Sequence, residues 1–219
     1  MKDIILYHGS RGGIEGSIRP ISRERCDFGK GFYMGQSPEQ VKGLVVEDTA
    51  PYFYTVKLKL SEIPEERILK LQDDNWLYTV LACRKKVKEF SELDIAKETL
   101  TRLKNYDLVM GSIADDQMNE AMTAFTNMAL TDEGLKYCLQ KVQYGDQYVA
   151  LTDFACSKIE IISERAMVGQ ELDDIRKYNS QKLKESKNTV KDAMRQYRRI
   201  GNYLDEIIEK ETRTRGMER

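Results

Sequence analysis

The chain has 219 residues, of which 41% are hydrophobic and 32% are charged, a composition typical of a folded globular protein and not of a disordered one. Its 35 Lys and Arg residues and 36 Asp and Glu residues leave a formal net charge of −1, so the overall charge does not favour nucleic acid or a membrane surface as a partner. No stretch approaches the ~18 apolar residues of a membrane span, and the first apolar run is too short for a signal peptide. We therefore expect a cytoplasmic protein.

The first half of the chain predicts strands and helices in turn. Apolar, β-favouring residues predict a short buried strand over 3–8, ending before Gly9. Ser37 followed by Pro38 predicts the start of a helix over 38–46. The alternation of apolar and polar residues in YFYTVKLKL predicts a half-buried strand over 52–60.

The second half continues with more helices and three short strands. Apolar residues at helical spacing predict helices over 74–90 and 93–104, a helix after residue 113 and another over 131–141. The segments YDLVMG, QYVAL and IEII predict strands over 106–111, 147–151 and 159–162.

From Glu164 onward the chain contains no proline and many charges, so we place a boundary between a domain over 1–163 and a helical tail over 164–219. The tail carries an apolar stripe with the spacing of an amphipathic helix: Val190, Met194, Tyr197, Ile200, Leu204 and Ile207. Three interpretations remain open: packing of the stripe on its own domain, pairing with a second copy, or binding of a partner protein. Nucleic acid ranks last, because acids offset the basic clusters.

Two short motifs carry a family resemblance. Residues 6–11 read LYHGSR and residues 28–33 read FGKGFY. In this order they resemble the donor-site signature of the ADP-ribosyltransferases, in the branch of diphtheria toxin and the poly(ADP-ribose) polymerases. The strand DQYV resembles the strand that carries the catalytic glutamate of that branch, with Gln147 in its place. The segment over 106–116 is similar to an uncharacterised bacterial family of the same superfamily.

The resemblance covers residues 4–162 and implies an α+β fold: an ADP-ribosyltransferase-like split β-sheet core with peripheral helices, extended by the helical tail. It implies NAD as co-substrate and no metal. The four widely spaced cysteines and the single histidine agree with a site that lacks zinc.

The resemblance implies a catalytic set of His8, Tyr33 and Gln147. His8 can hydrogen-bond a ribose hydroxyl, and the backbone of Gly9 can reach a carboxamide edge because glycine has no side chain. Tyr33 offers a flat face for the nicotinamide ring, and a mild effect is expected for Tyr33→Phe. The remaining expected NAD contacts are Ser10, Phe32 and Ser37.

Two positions depart from the family pattern. Leu44 stands where a second stacking tyrosine is usual, and Gln147 brings no negative charge to the developing cation. A carboxylate ~5 Å away at an effective dielectric of ~20 is worth roughly 3 kcal/mol, or on the order of a hundredfold in rate. Replacing Gln147 with Glu is therefore expected to raise NAD glycohydrolysis. Alternative sources of charge are three acids at the start of a helix, which can also be ordinary first-turn acids: Asp115, Asp116 and Glu120.

These residues predict an NAD-dependent mono-ADP-ribosyltransferase that modifies an intracellular macromolecule, with protein as the acceptor class. Family habit suggests a bacterial toxin or conflict effector, and an antitoxin is then a candidate partner for residues 164–219. Two alternatives from other classes remain open. One is a catalytically weak or inactive module that binds NAD or ADP-ribose, and the other is an interaction protein that uses the helical tail.

Overall fold

The computed structural model describes residues 2–113, 116–141 and 145–217, with side chains for 2–113, 118–141 and 145–213. The strands are β1 (Ile4–Ser10), β2 (Phe32–Gly35), β3 (Tyr52–Leu58), β4 (Ile68–Lys70), β5 (Leu108–Ser112), β6 (Asp146–Ala150) and β7 (Ile159–Ala166). The helices are α1 (Pro38–Gly43), α2 (Asp73–Arg84), α3 (Lys88–Ser91), α4 (Asp94–Leu103), α5 (Asp116–Thr126), α6 (Asp132–Lys141), α7 (Asp153–Cys156), α8 (Gln170–Gln196) and α9 (Leu204–Met217). The fold is α+β.

The strands form one mostly antiparallel sheet in the order β4-β5-β6-β2-β1-β3-β7, in which β4 and β5 pair in parallel. β1 pairs with β3 along its whole length. Between β1 and β2 the register holds one pair, Tyr7 with Gly35. Beyond that pair residues 8–10 of β1 and 32–34 of β2 are not paired with each other, and we call this gap the seam. The centre of the sheet is therefore split along the seam.

Side chains alternate between the two faces of the sheet, because successive residues of a strand point to opposite sides. One face, here the loop face, buries Leu6, Phe32 and Tyr54 beneath Ile14 and Ile18 of the loop after β1. The opposite side, here the helix face, is covered by helices, and three residues illustrate it. Val149 and Val109 pack there with α2 and α5, and Tyr7 packs there with α1 and α8.

Most predicted elements are present. β2, β4 and α7 were not predicted, since they have four, three and four residues and little periodicity. The helix predicted over 74–90 stops at Arg84, because Lys85 adopts a left-handed conformation with φ 51°, and α3 follows as a separate turn. β7 extends to Ala166, so the predicted boundary near residue 163 falls inside a strand.

The tail packs on helices of its own chain. Val190 of α8 and Leu204 and Ile207 of α9 are buried in the same hydrophobic cluster as α2, α5 and α6. Met194 and Tyr197 are partly buried against this cluster, whereas Ile200 is exposed. Most of the apolar stripe is therefore covered within the chain itself.

None of the helices in the described parts of the chain has the length and apolar character needed to cross a membrane.

Candidate functional site

His8 lies in the seam and connects its two sides. Its Nδ1 is 2.7 Å from the backbone carbonyl oxygen of Tyr33, and its ring stacks on Phe32 with the ring centroids 4.1 Å apart. A carbonyl oxygen only accepts hydrogen bonds, so Nδ1 carries the proton in this contact. An imidazole side chain thus bridges the strands where the backbone ladder is interrupted.

The imidazole of His8 is kept in its neutral form. Burial lowers the pKa of His8, and the hydrogen bond to the Tyr33 carbonyl opposes this only in part. With the proton on Nδ1, Nε2 presents a lone pair and can accept a hydrogen bond from a ligand hydroxyl.

The hydroxyl of Tyr33 stabilises the turn that precedes β2 through two hydrogen bonds. It donates a hydrogen bond to the Gly29 carbonyl at 2.7 Å and accepts one from the backbone N–H of Phe28 at 3.0 Å. Burial, and then the nearby charge of Asp27, raise the pKa of Tyr33. The expected role of Tyr33 involved only its ring, so this contribution of the hydroxyl was missed from the sequence.

The candidate residues divide between the two faces of the sheet. His8 and Phe32 lie on the loop face, next to Leu6. Tyr33 packs on the helix face, where the alternation along paired strands also places Gly9 and Gln147. A single ligand can contact both sets only at the seam.

Gln147 is buried and held in one orientation. Its Nε2 donates hydrogen bonds to Oδ2 of Asp27 at 2.9 Å and to the Ser112 carbonyl oxygen at 3.1 Å. Both partners can only accept, so the amide nitrogen must face them and Oε1 is the acceptor atom that remains. Gln147 therefore offers a carbonyl oxygen at the position where the ADP-ribosyltransferase motif that the sequence resembles has a carboxylate.

Asp27 is the functional candidate that the sequence interpretation missed. The residue is 7% exposed, and its carboxylate is paired with Arg84, whose Nη2 lies 2.6 Å from Oδ1. The only sequence signal is that Asp27 directly precedes the FGKGFY motif. The structure thus places a buried ion pair behind Gln147.

The three small residues expected to contact NAD each have a local structural role. A Cβ atom at Gly9 would lie 2.9 Å from the Val41 carbonyl oxygen, so glycine permits the close approach of α1. Ser10 donates a hydrogen bond to the Gly13 carbonyl at 2.8 Å. Ser37 caps α1 by accepting a hydrogen bond from the backbone N–H of Gln40.

The three candidate acids are not gathered at the seam by any described contact. Glu120 of α5 forms an ion pair with Lys187 of α8 at 3.5 Å. Asp116 opens α5, but its side chain lies outside the described residues, as does the whole of Asp115. Leu44, which stands where a second tyrosine was sought, is 51% exposed at the end of α1.

A cavity of about 430 Å3 adjoins the Gln147 network. Ser112 lines it, and the carbonyl oxygen of this residue accepts hydrogen bonds from both Gln147 and Trp76. Its lining also includes charged residues of both signs: Lys70, Lys136, Asp73 and Asp146. The cavity therefore offers a polar space beside the candidate catalytic amide.

Within the described ranges, no group of three or more His, Cys, Asp or Glu side chains is arranged to hold a metal ion.

Comparison with known proteins identifies one matching family. No curated protein and no solved structure matches the chain. A family model described as a protein of unknown function, DUF3990, matches residues 4–161. Because this match runs from β1 into β7 and covers well over half of the sequence, the chain belongs to the DUF3990 family.

Proposed function

We propose that the protein is an NAD-dependent mono-ADP-ribosyltransferase that modifies an intracellular macromolecule, with protein as the acceptor class. The observation that carries this proposal is the His8 contact with the Tyr33 carbonyl across the seam. It brings the two sequence motifs together on neighbouring strands, and Gln147 lies on the next strand, in register with Gly35. A role as a bacterial toxin or conflict effector belongs to the same proposal.

The reaction needs few groups from the protein. The bond between C1′ of the ribose and the nicotinamide nitrogen breaks, and nicotinamide leaves with the bonding electron pair. A nucleophile of the acceptor forms the new bond to C1′ and gives up its proton to a base or to water. Because the transition state resembles an oxocarbenium ion, positioning and negative potential at the ribose are the main contributions a protein can make.

Three residues supply those contributions in this proposal. Nε2 of His8 accepts a hydrogen bond from a ribose hydroxyl, since its Nδ1 is committed to Tyr33. The Tyr33 ring stacks on the nicotinamide, and its hydroxyl holds the adjoining turn. Oε1 of Gln147 accepts a hydrogen bond from the hydroxyl of the reacting ribose, because Nε2 is committed to Asp27 and Ser112.

The charge at the site predicts slow, single transfers. Gln147 is neutral, and Arg84 offsets the charge of Asp27 at 2.6 Å. An ionised carboxylate at ~5 Å is worth roughly 3 kcal/mol, so the rate should be on the order of a hundredfold lower than in a site that holds an ionised, correctly oriented glutamate at this position. Chain elongation also loses the carboxylate that would bind the acceptor hydroxyl, which favours mono-ADP-ribosylation.

The Asp27–Arg84 pair also favours a second candidate function. Because the pair places no net charge behind Gln147, the same residues suit a module that binds NAD or ADP-ribose without cleaving it. The two candidates differ in whether nicotinamide is released.

Incubation with NAD labelled in its adenylate phosphate distinguishes these functions. The full chain is mixed with labelled NAD and cell lysate, and protein-bound label and free nicotinamide are measured, followed by mass spectrometry of modified peptides. Labelled protein that is absent with His8→Ala supports the transferase. Bound, uncleaved NAD supports the binding module, and neither labelling nor binding contradicts both.

A further inference from the structure

Gln40 of α1 is a buried side chain whose amide lacks partners. It is 5% exposed, and neither its Nε2 nor its Oε1 makes a hydrogen bond within the part of the chain that the structure describes. Buried amides are normally hydrogen-bonded, because leaving a donor and an acceptor unsatisfied costs free energy. A buried amide without hydrogen-bond partners in a folded protein therefore indicates a side chain that binds a ligand.

The position of Gln40 relates it to the seam. A Cβ atom at Gly35 would lie 3.3 Å from Oε1 of Gln40, so the amide lies above Gly35 on the helix face. Gly35 is in register with Tyr7 on one side and with Gln147 on the other. The orphan amide thus covers the closed end of the seam, one strand away from the amide of Gln147.

We infer that Gln40 binds the carboxamide of the nicotinamide ring and so determines selectivity for NAD. This inference rests on the proposed function, because it needs NAD in the seam. A primary carboxamide presents one acceptor and one donor side by side, and it can form a cyclic pair of hydrogen bonds with the glutamine amide. A phosphate, which only accepts, leaves Oε1 of Gln40 unsatisfied.

The neighbouring residue of α1 supports the nicotinamide end of NAD over the adenine end. Adenine also presents a donor beside an acceptor, and glutamine can pair with it. However, the Val41 carbonyl lies against Gly9, the residue whose backbone is expected to reach the carboxamide. Gln40 and Gly9 therefore flank the same end of the ligand in this arrangement.

The experiment compares ligands with and without the carboxamide by calorimetric titration of the full chain. Carba-NAD, whose glycosidic bond is not cleaved, should bind about tenfold more weakly to Gln40→Met than to the wild-type chain, since two neutral hydrogen bonds are lost. ADP-ribose, which lacks nicotinamide, should bind both chains equally. The acetylpyridine analogue of NAD, in which a methyl replaces the amide nitrogen, should bind the wild-type chain more weakly than NAD, and Gln40→Met should reduce that difference to the part that the Gly9 backbone contributes.

Gln147→Met provides the matched control, because Gln147 is also 5% exposed but its amide is partnered. Thermal melting without ligand should show Gln40→Met at or above the wild-type Tm and Gln147→Met below it. A Tm loss for Gln40→Met as large as that for Gln147→Met would show that the Gln40 amide already has a partner and would overturn the inference.

The binding data separate this inference from the proposed function. Equal carba-NAD affinity of the wild-type chain and Gln40→Met removes the inference and leaves the proposed function standing. An equal loss of ADP-ribose affinity assigns Gln40 to the adenine end and likewise overturns it. If the wild-type chain binds no NAD, the proposed function and the inference both fail.

Discussion

Asp27 accepts a hydrogen bond from Gln147 at 2.9 Å, so a buried carboxylate lies directly behind the amide at the position where the ADP-ribosyltransferase motif that the sequence resembles has a glutamate. Arg84 holds the other oxygen of Asp27. This relationship changes what a substitution at position 147 is expected to do, because the side chain there needs a donor facing Asp27.

Gln147→Glu should destabilise the protein at pH 7 and should not raise NAD glycohydrolysis. The new carboxylate would face the Asp27 carboxylate and the Ser112 carbonyl, both of which are acceptors, and its pKa would rise. We expect a loss of about 1–3 kcal/mol of unfolding free energy, measured by urea denaturation. A raised pKa in the folded state makes the penalty small below the ordinary Glu pKa and larger as the pH increases.

An exchange variant tests the cause. Asp27→Asn combined with Gln147→Glu restores a donor between the two side chains and should recover part of the lost stability. It also leaves one carboxylate at position 147, and any gain in glycohydrolysis should appear in this double variant. A fully stable and more active Gln147→Glu single variant would contradict the orientation assigned to the amide.

Tyr33→Phe should lower the stability by about 1–2 kcal/mol, because it removes the two hydrogen bonds that the hydroxyl makes to Phe28 and Gly29. From the sequence alone we expected only a mild effect of Tyr33→Phe on nicotinamide binding, because stacking needs the ring and not the hydroxyl. Urea denaturation measures the effect, and Tyr137→Phe serves as the control, since the Tyr137 ring packs against Tyr197 and its hydroxyl has no hydrogen bond among the described residues. Equal stability of Tyr33→Phe and Tyr137→Phe would contradict the role of the hydroxyl.

The sequence predicts strands and helices that have a regular pattern of apolar residues. It does not predict contacts between residues that are far apart in the sequence. The strand that carries His8 and the strand that carries Gln147 follow from apolar periodicity. β2 has only four residues after a glycine-rich turn. The sequence therefore could not predict that His8 and Tyr33 lie on opposite faces of the sheet. Asp27 approaches Gln147 across 120 positions of sequence, a contact that only tertiary folding creates. The sequence also cannot predict that the Gln40 amide lacks hydrogen-bond partners, because this depends on which side chains surround it in the folded chain.

His8 is the only histidine, so its state can be read from one set of imidazole resonances. Nuclear magnetic resonance of the labelled side chain should show the proton on Nδ1 and a pKa below the usual value, because burial disfavours the charged form. Since the unfolded chain then binds a proton more readily, stability should be full above pH ~6.5 and should fall at lower pH. His8→Ala should remove this dependence and NAD binding together. An imidazole that carries its proton on Nε2 would contradict the contact with Tyr33.

Glu171 of α8 forms ion pairs with Lys42 of α1 and Arg165 of β7. These ion pairs should be lost at low pH. The hydrogen bonds from Arg165, and then from Lys42 of α1, lower the pKa of Glu171 to about 2. Because the folded pKa is depressed, the stabilisation is present above the ordinary Glu value and is lost as the pH falls from about 4.5 towards 2. Glu171→Gln should lack that part of the acid transition in a Tm series. Lys182 and Glu185 form an exposed pair further along α8, and Glu185→Gln is the control expected to resemble the wild-type chain.

Removal of residues 164–219 should leave a chain that does not fold. Leu204 is fully buried and Ile207 is 5% exposed, and both belong to the hydrophobic cluster that includes Trp76 and Phe125. The truncated protein would expose this cluster to water and should be insoluble or should bind a hydrophobic dye.

Point variants distinguish packing of the stripe within the chain from an interface between copies. Leu204→Ala should cost about 2–5 kcal/mol in unfolding free energy, whereas Ile200→Ala should cost little, because Ile200 is 52% exposed. Both should leave the molar mass from light scattering unchanged. A folded monomer obtained by truncating a dimeric parent would show instead that the stripe is an interface between copies.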